Sequence, residues 1–126
     1  MNISRARLAG AQTELRGPTF TGDVWADPVL AETDGVMGTN VFFTPGARTN
    51  WHTHTRGQVL HVLAGEGHVC LRGAARETIR TGDVVFIRPG EEHWHGAARD
   101  SYLLHLAISL GNADWLDPVT DEEYGS

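Results

Sequence analysis

The seven histidines are the side chains of this 126-residue chain best suited to chemistry, and their spacing is informative. His52 and His54 are two residues apart on a predicted strand, so both side chains point to the same face. Gln58 follows after a short interval that contains Gly57, and His93 lies on a later predicted strand. Three imidazoles and one amide oxygen can form the coordination shell of a divalent first-row metal, with two positions of an octahedral ion left for water or substrate.

The amide of Gln58 influences which chemistry such a site favours. A glutamate at this position would reduce the charge of a divalent site to about +1, whereas a neutral amide leaves about +2 and a stronger Lewis acid toward bound water or hydroxyl. The same charge makes the site less suited to stabilising a higher-valent iron during oxygen activation. The sequence therefore favours acid–base chemistry over oxygenation.

The elements that must position these residues are predicted to be strands. Short apolar or alternating runs recur between Gly, Pro, Asn and Asp, a pattern typical of an all-β sandwich or barrel. The predicted strands are Phe20 to Ala26, Thr39 to Thr44, Trp51 to Thr55, Gln58 to Ala64, Gly67 to Arg72, Arg76 to Thr81, Val84 to Arg88, Glu92 to Gly96 and Ser101 to Ser109. Gly65-Glu66-Gly67 is predicted to be a hairpin turn, because no helix follows that would make it a phosphate-binding loop.

Length and composition predict one soluble domain, since 126 residues, 40% of them apolar, can bury a core without disulfides. Within residues 1–126, we expect residues 20–110 to form the barrel and residues 1–19 to be a mobile arm or an edge strand contributed to a partner subunit. Residues 111–126 are expected to be an acidic tail, in which Thr120 to Glu123 could start at most one helical turn. The single cysteine, Cys70, is interpreted as a small buried hydrophobe.

Several function classes are excluded or disfavoured by charge and composition. All ten basic residues are arginine, which excludes Schiff-base chemistry on lysine. The net charge of -6 and the lack of a dense arginine cluster argue against nucleic acid as a partner. The longest runs without a charged residue are too short for the about 20 residues that cross a bilayer, and no apolar block follows Arg5 and Arg7. We therefore expect a cytoplasmic protein that has neither a membrane nor a nucleic acid as its partner.

Two segments carry a family resemblance. Residues 46–65, GARTNWHTHTRGQVLHVLAG, resemble the first motif of the cupins, and residues 82–93, GDVVFIRPGEEH, resemble the second. The resemblance implies a double-stranded β-helix, or jelly-roll barrel. Gln58 replaces the usual glutamate, Arg88 replaces a proline and Ala97 stands where an asparagine is often found, and of these three only Gln58 touches the implied metal.

A closer resemblance extends over most of the chain, through GTNVFFTPGARTNWHTHTRGQ, GDVVFIRPGEEHWHGAA, HLAIS and DWLDPVTDEEY. These segments are similar to small single-domain bacterial cupins that bind manganese and include (R)-selective hydroxynitrile lyases. The resemblance implies manganese on His52, His54, Gln58 and His93, with iron, nickel, cobalt and zinc as alternatives. It also implies that His105 lies beside the metal and that the protein is a homodimer.

Other residues are weaker candidates. His105 shares a strand face with Leu103, Ala107 and Ser109, and it is either the general base implied by the resemblance or a hydrogen-bonded core histidine. His95 has the strand parity of His93, which suggests a position at the pocket mouth or behind the metal ligands. The remaining candidates are three alternating residues expected to line the pocket, and two histidines expected at the surface or a dimer face: Thr39, Val41 and Phe43, and His61 and His68.

Three functions are consistent with these residues. The first is a lyase that cleaves or forms cyanohydrins, with a metal Lewis acid and the His105 base acting on a small-molecule substrate. The second is a metal-dependent dioxygenase, which would consume oxygen. The third is a non-enzymatic module that captures a small ligand in the barrel without turnover.

Overall fold

A computed structural model describes residues 1–125, and it is almost entirely β-structure. The described residues form β1 (Glu14–Leu15), β2 (Phe20–Thr21), β3 (Val24–Thr33), β4 (Val36–Phe43), β5 (Arg48–Thr49), β6 (His52–His54), β7 (Gln58–Leu71), β8 (Glu77–Arg80), β9 (Val84–Ile87), β10 (His93–Ala97), β11 (Leu103–Leu110), β12 (Ala113–Trp115) and α1 (Asp121–Tyr124). The all-β class predicted from the sequence is confirmed. Among residues 1–125, no helix is long and apolar enough to cross a membrane.

The strands pair antiparallel and curl into a half-barrel whose two sides share one long strand. On one side the order is β1-β3-β4-β11-β7, with β9 beyond the first half of β7. On the other side the second half of β7 pairs with β8 and β10, and β10 continues to β5 and β6. Strand β7 therefore connects the two walls of the barrel.

The predicted hairpin turn at Gly65-Glu66-Gly67 is wrong, because β7 runs through these residues without reversing. Gly65 has φ +82° and is the last residue of β7 that pairs with β11, two residues after the register shift at Leu63, so the strand bends here from one wall to the other. A Cβ at Gly65 would overlap the backbone oxygen of Tyr102, and one at Gly67 would overlap that of Gly96. These glycines are needed where the backbones of neighbouring strands approach closely.

The core lies between the two walls and follows the strand alternation that the sequence predicts. Phe43, Leu60 and Leu103 are fully buried, together with Val24 and Val62. Along β11 the buried residues are Leu103, His105 and Ala107, so this face is the inward one. The structure thus decides the orientation of His105 that strand parity left open.

Strand boundaries differ from prediction where the strands are short or interrupted by proline. Strand β3 continues past Pro28 to Thr33, and its pairing with β4 shifts register after Pro28, as expected where a proline lacks the donor for a ladder bond. The two-residue strands β1 and β5 are too short to leave an alternation in the sequence. Strand β1 pairs with β3 of the same chain.

The C-terminal residues are attached to the barrel. The turn α1 begins with a capping box between Thr120 and Glu123, and the Tyr124 hydroxyl donates to the buried carbonyl of Ala97 at 2.7 Å. Asp121 pairs with Arg48 at 2.9 Å, and Asp117 pairs with Arg72 at 2.9 Å. Residues predicted as an acidic tail therefore contribute a docked turn and, in β12, a strand paired with β6.

Candidate metal centre and cavity

Three strands bring the four predicted metal ligands together. Strand β6 carries His52 and His54, β10 carries His93, and β7 begins at Gln58. Strands β6 and β10 are paired with His52 directly opposite His93, which puts the two ring centroids 4.2 Å apart. The His54 ring lies 5.1 Å from that of His52 and 5.8 Å from that of His93. The strand register therefore creates the cluster.

Backbone carbonyls orient two of the imidazoles for coordination. Nδ1 of His52 donates to the carbonyl of Asn50 at 2.9 Å, and Nδ1 of His93 donates to the carbonyl of Glu91 at 3.0 Å. In the neutral rings Nε2 then carries the lone pair, which is the arrangement of a metal-bound histidine. Both ring nitrogens of buried His54 lack a hydrogen-bond partner among the described residues. A bound cation would satisfy such a nitrogen.

Gln58 supplies the strongest indication that a cation fits here. Its Nε2 donates to Ser109 Oγ at 3.1 Å, so its Oε1 faces Nε2 of His93 at 3.1 Å. With Nδ1 of His93 already donating, a lone pair on nitrogen faces a lone pair on oxygen. Two buried acceptors at this distance require a positive charge or a proton between them.

Burial keeps these imidazoles neutral, which is the form that binds metals. Desolvation by burial, and then the coulombic effect of His93, lower the pKa of His54 to about 4. Burial also lowers the pKa of His93, and it lowers that of His52 well below the ordinary value. A proton is therefore a poor candidate for the charge between Gln58 and His93, and a divalent cation fits the donor set.

His95 belongs to the cluster more closely than the sequence indicated. A ring nitrogen of His95 and ring nitrogens of His52 and His93 all lie within 4.8 Å of one another. Nδ1 of His95 is 3.0 Å from Nε2 of His105, and both rings are buried. Burial lowers the pKa of His105 to about 4. His105 thus reaches the cluster through His95, with Phe43 packed against both rings.

A cavity of about 440 Å³ opens onto this cluster. His52, His54, Gln58 and His95 form its polar wall, and the predicted pocket residues Thr39, Val41 and Phe43 also line it. The described lining further includes residues that sequence reasoning did not assign to the pocket: Thr49, Ser109 and Trp115, and from the N-terminal segment Glu14, Arg16 and Phe20. Apolar side chains therefore surround a compact set of polar donors, the usual character of a small-molecule site.

Nothing in the sequence except the size of its side chain indicated that Trp115 lines the cavity. It lies on β12 opposite His52, and its ring stacks on the His52 ring with centroids 4.5 Å apart. Ser109 could have been assigned to the cavity from the sequence, because it lies on the same strand face as His105.

His61 is exposed as predicted, whereas His68 is buried against Tyr124, so its predicted surface position is wrong. His68 lies on the same face of β7 as Cys70, opposite the barrel core that contains Val69, and it is buried because the C-terminal turn with Tyr124 covers that face.

The fold and the site together define a small β-barrel with a cluster of buried histidines in position to bind a metal ion. The family model for the cupin domain matches residues 40–109. The chain is 50% identical over 132 residues to the (R)-mandelonitrile lyase of Granulicella tundricola, with 98% of each chain covered. The chain belongs to the cupin family, which confirms the fold that the two sequence motifs implied.

Solved structures support the same fold. A cupin-like protein from Thermotoga maritima is 40% identical, with a TM-score of 0.84 over 91% of this chain and 93% of that chain. The polyketide cyclase RemF from Streptomyces resistomycificus is 18% identical, with a TM-score of 0.75 over 98% of this chain and 91% of that chain. The second likeness extends to the barrel alone, because barrels of one shape host unrelated reactions.

Proposed function

We propose that this protein is a manganese-dependent lyase that cleaves cyanohydrins to a carbonyl compound and hydrogen cyanide, and catalyses the reverse addition. The observation that carries the proposal is the shell of three neutral imidazoles and an amide oxygen beside an apolar cavity. The 50% identity to a protein named (R)-mandelonitrile lyase supports this reaction over others that a cupin site can host.

The ion would be held by His52, His54, Gln58 and His93. When bound, it supplies positive charge that lowers the pKa of a cyanohydrin hydroxyl and stabilises the developing oxyanion. Thr39, Val41 and Phe43 on β4 line the same cavity and would contact the carbon substituent of the substrate. The apolar walls favour an aryl or alkyl group there over a charged one.

His95 is the better placed of the two remaining histidines to contact substrate. It lines the cavity, whereas His105 is fully buried behind it. When Nδ1 of His95 donates to Nε2 of His105, Nε2 of His95 carries a lone pair and can accept a proton. His105 then acts as a positioning residue that selects this tautomer, in place of the direct base that the sequence predicted.

The cleavage step balances with these groups. Nε2 of His95 accepts the hydroxyl proton, the carbon–oxygen double bond forms, and the bond to the nitrile carbon breaks. Cyanide leaves with that electron pair and takes the proton back from Nε2 of His95, which gives hydrogen cyanide and restores the neutral base. A positioned base of this kind contributes about 10²- to 10⁴-fold to the rate.

The proposal is tested by elemental analysis of the purified protein, followed by cyanide release from mandelonitrile by the manganese-loaded sample. We expect about one metal ion per chain and turnover, with both lost in His52→Ala. His95→Ala is expected to keep the metal and lose about 10²-fold or more in kcat.

Different results would overturn the proposal in different ways. If elemental analysis finds no metal in the purified protein, the proposed ligand shell is wrong. Bound metal with no cyanide release would refute the lyase, and two further measurements would then separate the other cupin functions. Metal-dependent oxygen uptake would indicate a dioxygenase, and ligand binding without turnover would indicate a binding module.

We also propose that a second copy of this chain covers the outer face of the sheet formed by β3, β4, β11, β7 and β9. Cross-strand neighbours Trp25, Phe42 and Leu104 begin an apolar row on this face, and Phe86 and Val84 lie at its other edge, 54% and 64% exposed. Five strands about 4.8 Å apart and about 20 Å long present roughly 500 Å² before side-chain relief. This approaches the about 800 Å² per partner of an ordinary stable interface.

Sedimentation velocity tests this assembly. The expected result is a dimer for the wild type and a monomer for Phe86→Glu, because a carboxylate would be desolvated at the interface. A monomeric wild type at 100 μM, a concentration about 100-fold above a micromolar Kd, would contradict the assembly.

A further inference from the structure

We infer that Ser109 is a positioning residue for the metal centre, which orients the Gln58 amide so that its oxygen and not its nitrogen faces the ion. The inference rests on the proposed metal site. Ser109 and Gln58 are direct cross-strand partners in β11 and β7, and Gln58 Nε2 donates to Ser109 Oγ at 3.1 Å. Ser109 shares the inward face of β11 with His105, although it lies further toward the cavity and is only partly buried.

The orientation of this amide matters because its two ends have opposite chemistry. Oε1 can coordinate a cation, whereas the NH₂ group has two donors and no lone pair to offer. Rotating the amide by half a turn would aim those donors at Nε2 of His93, where Oε1 now lies at 3.1 Å. In the absence of a cation that rotated arrangement would form a good hydrogen bond, because Nε2 of His93 carries a lone pair.

Ser109 supplies the hydrogen-bond acceptor that the amide nitrogen needs in the orientation that binds metal. Its hydroxyl accepts from the Gln58 NH₂ group, so the buried amide keeps a partner for its nitrogen while its oxygen points to the cluster. Without that acceptor, the oxygen-inward arrangement would leave the NH₂ group unsatisfied in a side chain that is only 4% exposed. The metal-bound protein would then carry the cost of that unsatisfied group.

The expected consequence is a loss of metal affinity with the four ligands unchanged. Removing a partner that orients a ligand costs 10- to 100-fold in metal affinity. We therefore expect Ser109→Ala to weaken Mn²⁺ binding by about 10- to 100-fold. Ser109→Thr keeps the hydroxyl and should bind within about threefold of the wild type, whereas Ser109→Val has the shape of threonine without the hydroxyl and should behave like alanine.

The test is titration of metal-free protein with MnCl₂, with free Mn²⁺ followed by electron paramagnetic resonance. Thr78→Val is the matched control, since it removes a hydroxyl from strand β8 outside the cavity lining, and its Kd for Mn²⁺ should be unchanged. Thermal unfolding of each metal-free variant shows whether it is folded. The threonine and valine pair differ only in the hydroxyl, so their comparison holds even if alanine disturbs the strand.

The outcomes separate this inference from the metal site on which it rests. A wild type that binds no Mn²⁺ overturns the site itself. A wild type that binds Mn²⁺ with the same Kd as the valine variant overturns the role of Ser109 alone. Weak binding by valine with recovery by threonine supports it, because a role in strand packing would not distinguish two residues of one shape.

Discussion

Gly65→Ala should destabilise the protein far more than Gly73→Ala, although both glycines have φ +82°. Each substitution forces alanine into the left-handed region at a cost of about 1 to 2 kcal/mol, and each restricts the unfolded chain equally. The surroundings differ. A Cβ at Gly73 meets no atom within 4 Å, whereas one at Gly65 would lie 2.9 Å from the carbonyl carbon of Tyr102 and closer still to its oxygen.

The size of the difference follows from this overlap. Carbon atoms in contact normally lie about 3.5 to 4.0 Å apart, so β7 and β11 would have to separate where they connect the two walls. Forcing atoms into a packed region costs about 1 to 3 kcal/mol beyond the backbone term. We therefore expect Gly73→Ala to lose about 1 to 2 kcal/mol of unfolding free energy and Gly65→Ala about 2 to 5 kcal/mol.

Urea denaturation followed by tryptophan fluorescence measures both variants under one set of conditions. Similar m-values would show that the two unfolding transitions expose comparable surface, so their midpoints can be compared directly. The hairpin predicted from the sequence would leave Gly65 as open as Gly73. Equal losses for the two variants would therefore refute the continuous strand through Gly65 and restore the turn.

Three further changes have defined outcomes. Tyr124→Phe should lose about 1 to 2 kcal/mol in urea denaturation because a buried core carbonyl loses its donor, whereas Tyr102→Phe, which is exposed, should change stability by less than about 0.5 kcal/mol. Burial, and then the charge of Arg76, lower the pKa of His68 in the folded state, so its contribution to stability is present above pH 6.5 and is lost as pH falls toward the folded pKa. His68→Gln should accordingly lose less stability than the wild type between pH 7 and pH 5, and an equal loss would contradict the shift. Mn²⁺ at about 100 times its Kd should raise the unfolding free energy by about 2.7 kcal/mol, and this gain should disappear in His52→Ala.

The sequence predicts that His52, His54, Gln58 and His93 lie close together because the information is local. Two histidines at a spacing of two on a strand must share a face, and the motif around Gln58 and His93 fixes which strands meet. The same logic gives the inward face of β11 once one of its residues is known to be buried. The alternation of side chains between the two faces of a strand depends only on the backbone of that strand, so it does not change with the neighbouring strands.

The errors come from features that depend on neighbours in space. Gly65 and Gly67 have the composition of a turn, and their role as a crossing point becomes visible only when Tyr102 and Gly96 lie against them. The burial of His68 likewise depends on a spatial neighbour, because Tyr124 of the C-terminal turn packs against it. The order of His95 and His105 relative to the cavity is likewise set by packing, with His105 enclosed behind His95 and Phe43.

Acidic residues near the C-terminus influence the candidate metal site through ion pairs with arginines. Arg72 lies over the Trp51 ring at 4.1 Å and pairs with Asp117, and Arg48 pairs with Asp121, so one acid has an exposed cationic partner and the other a buried one. These contacts hold β12 along β6, the strand that carries two of the proposed ligands. Trp115 is thereby stacked on His52 and forms part of the cavity wall. The position of the His52 ring thus depends on charges near the end of the chain, which links the stability of the docked segment to the geometry of the candidate metal centre.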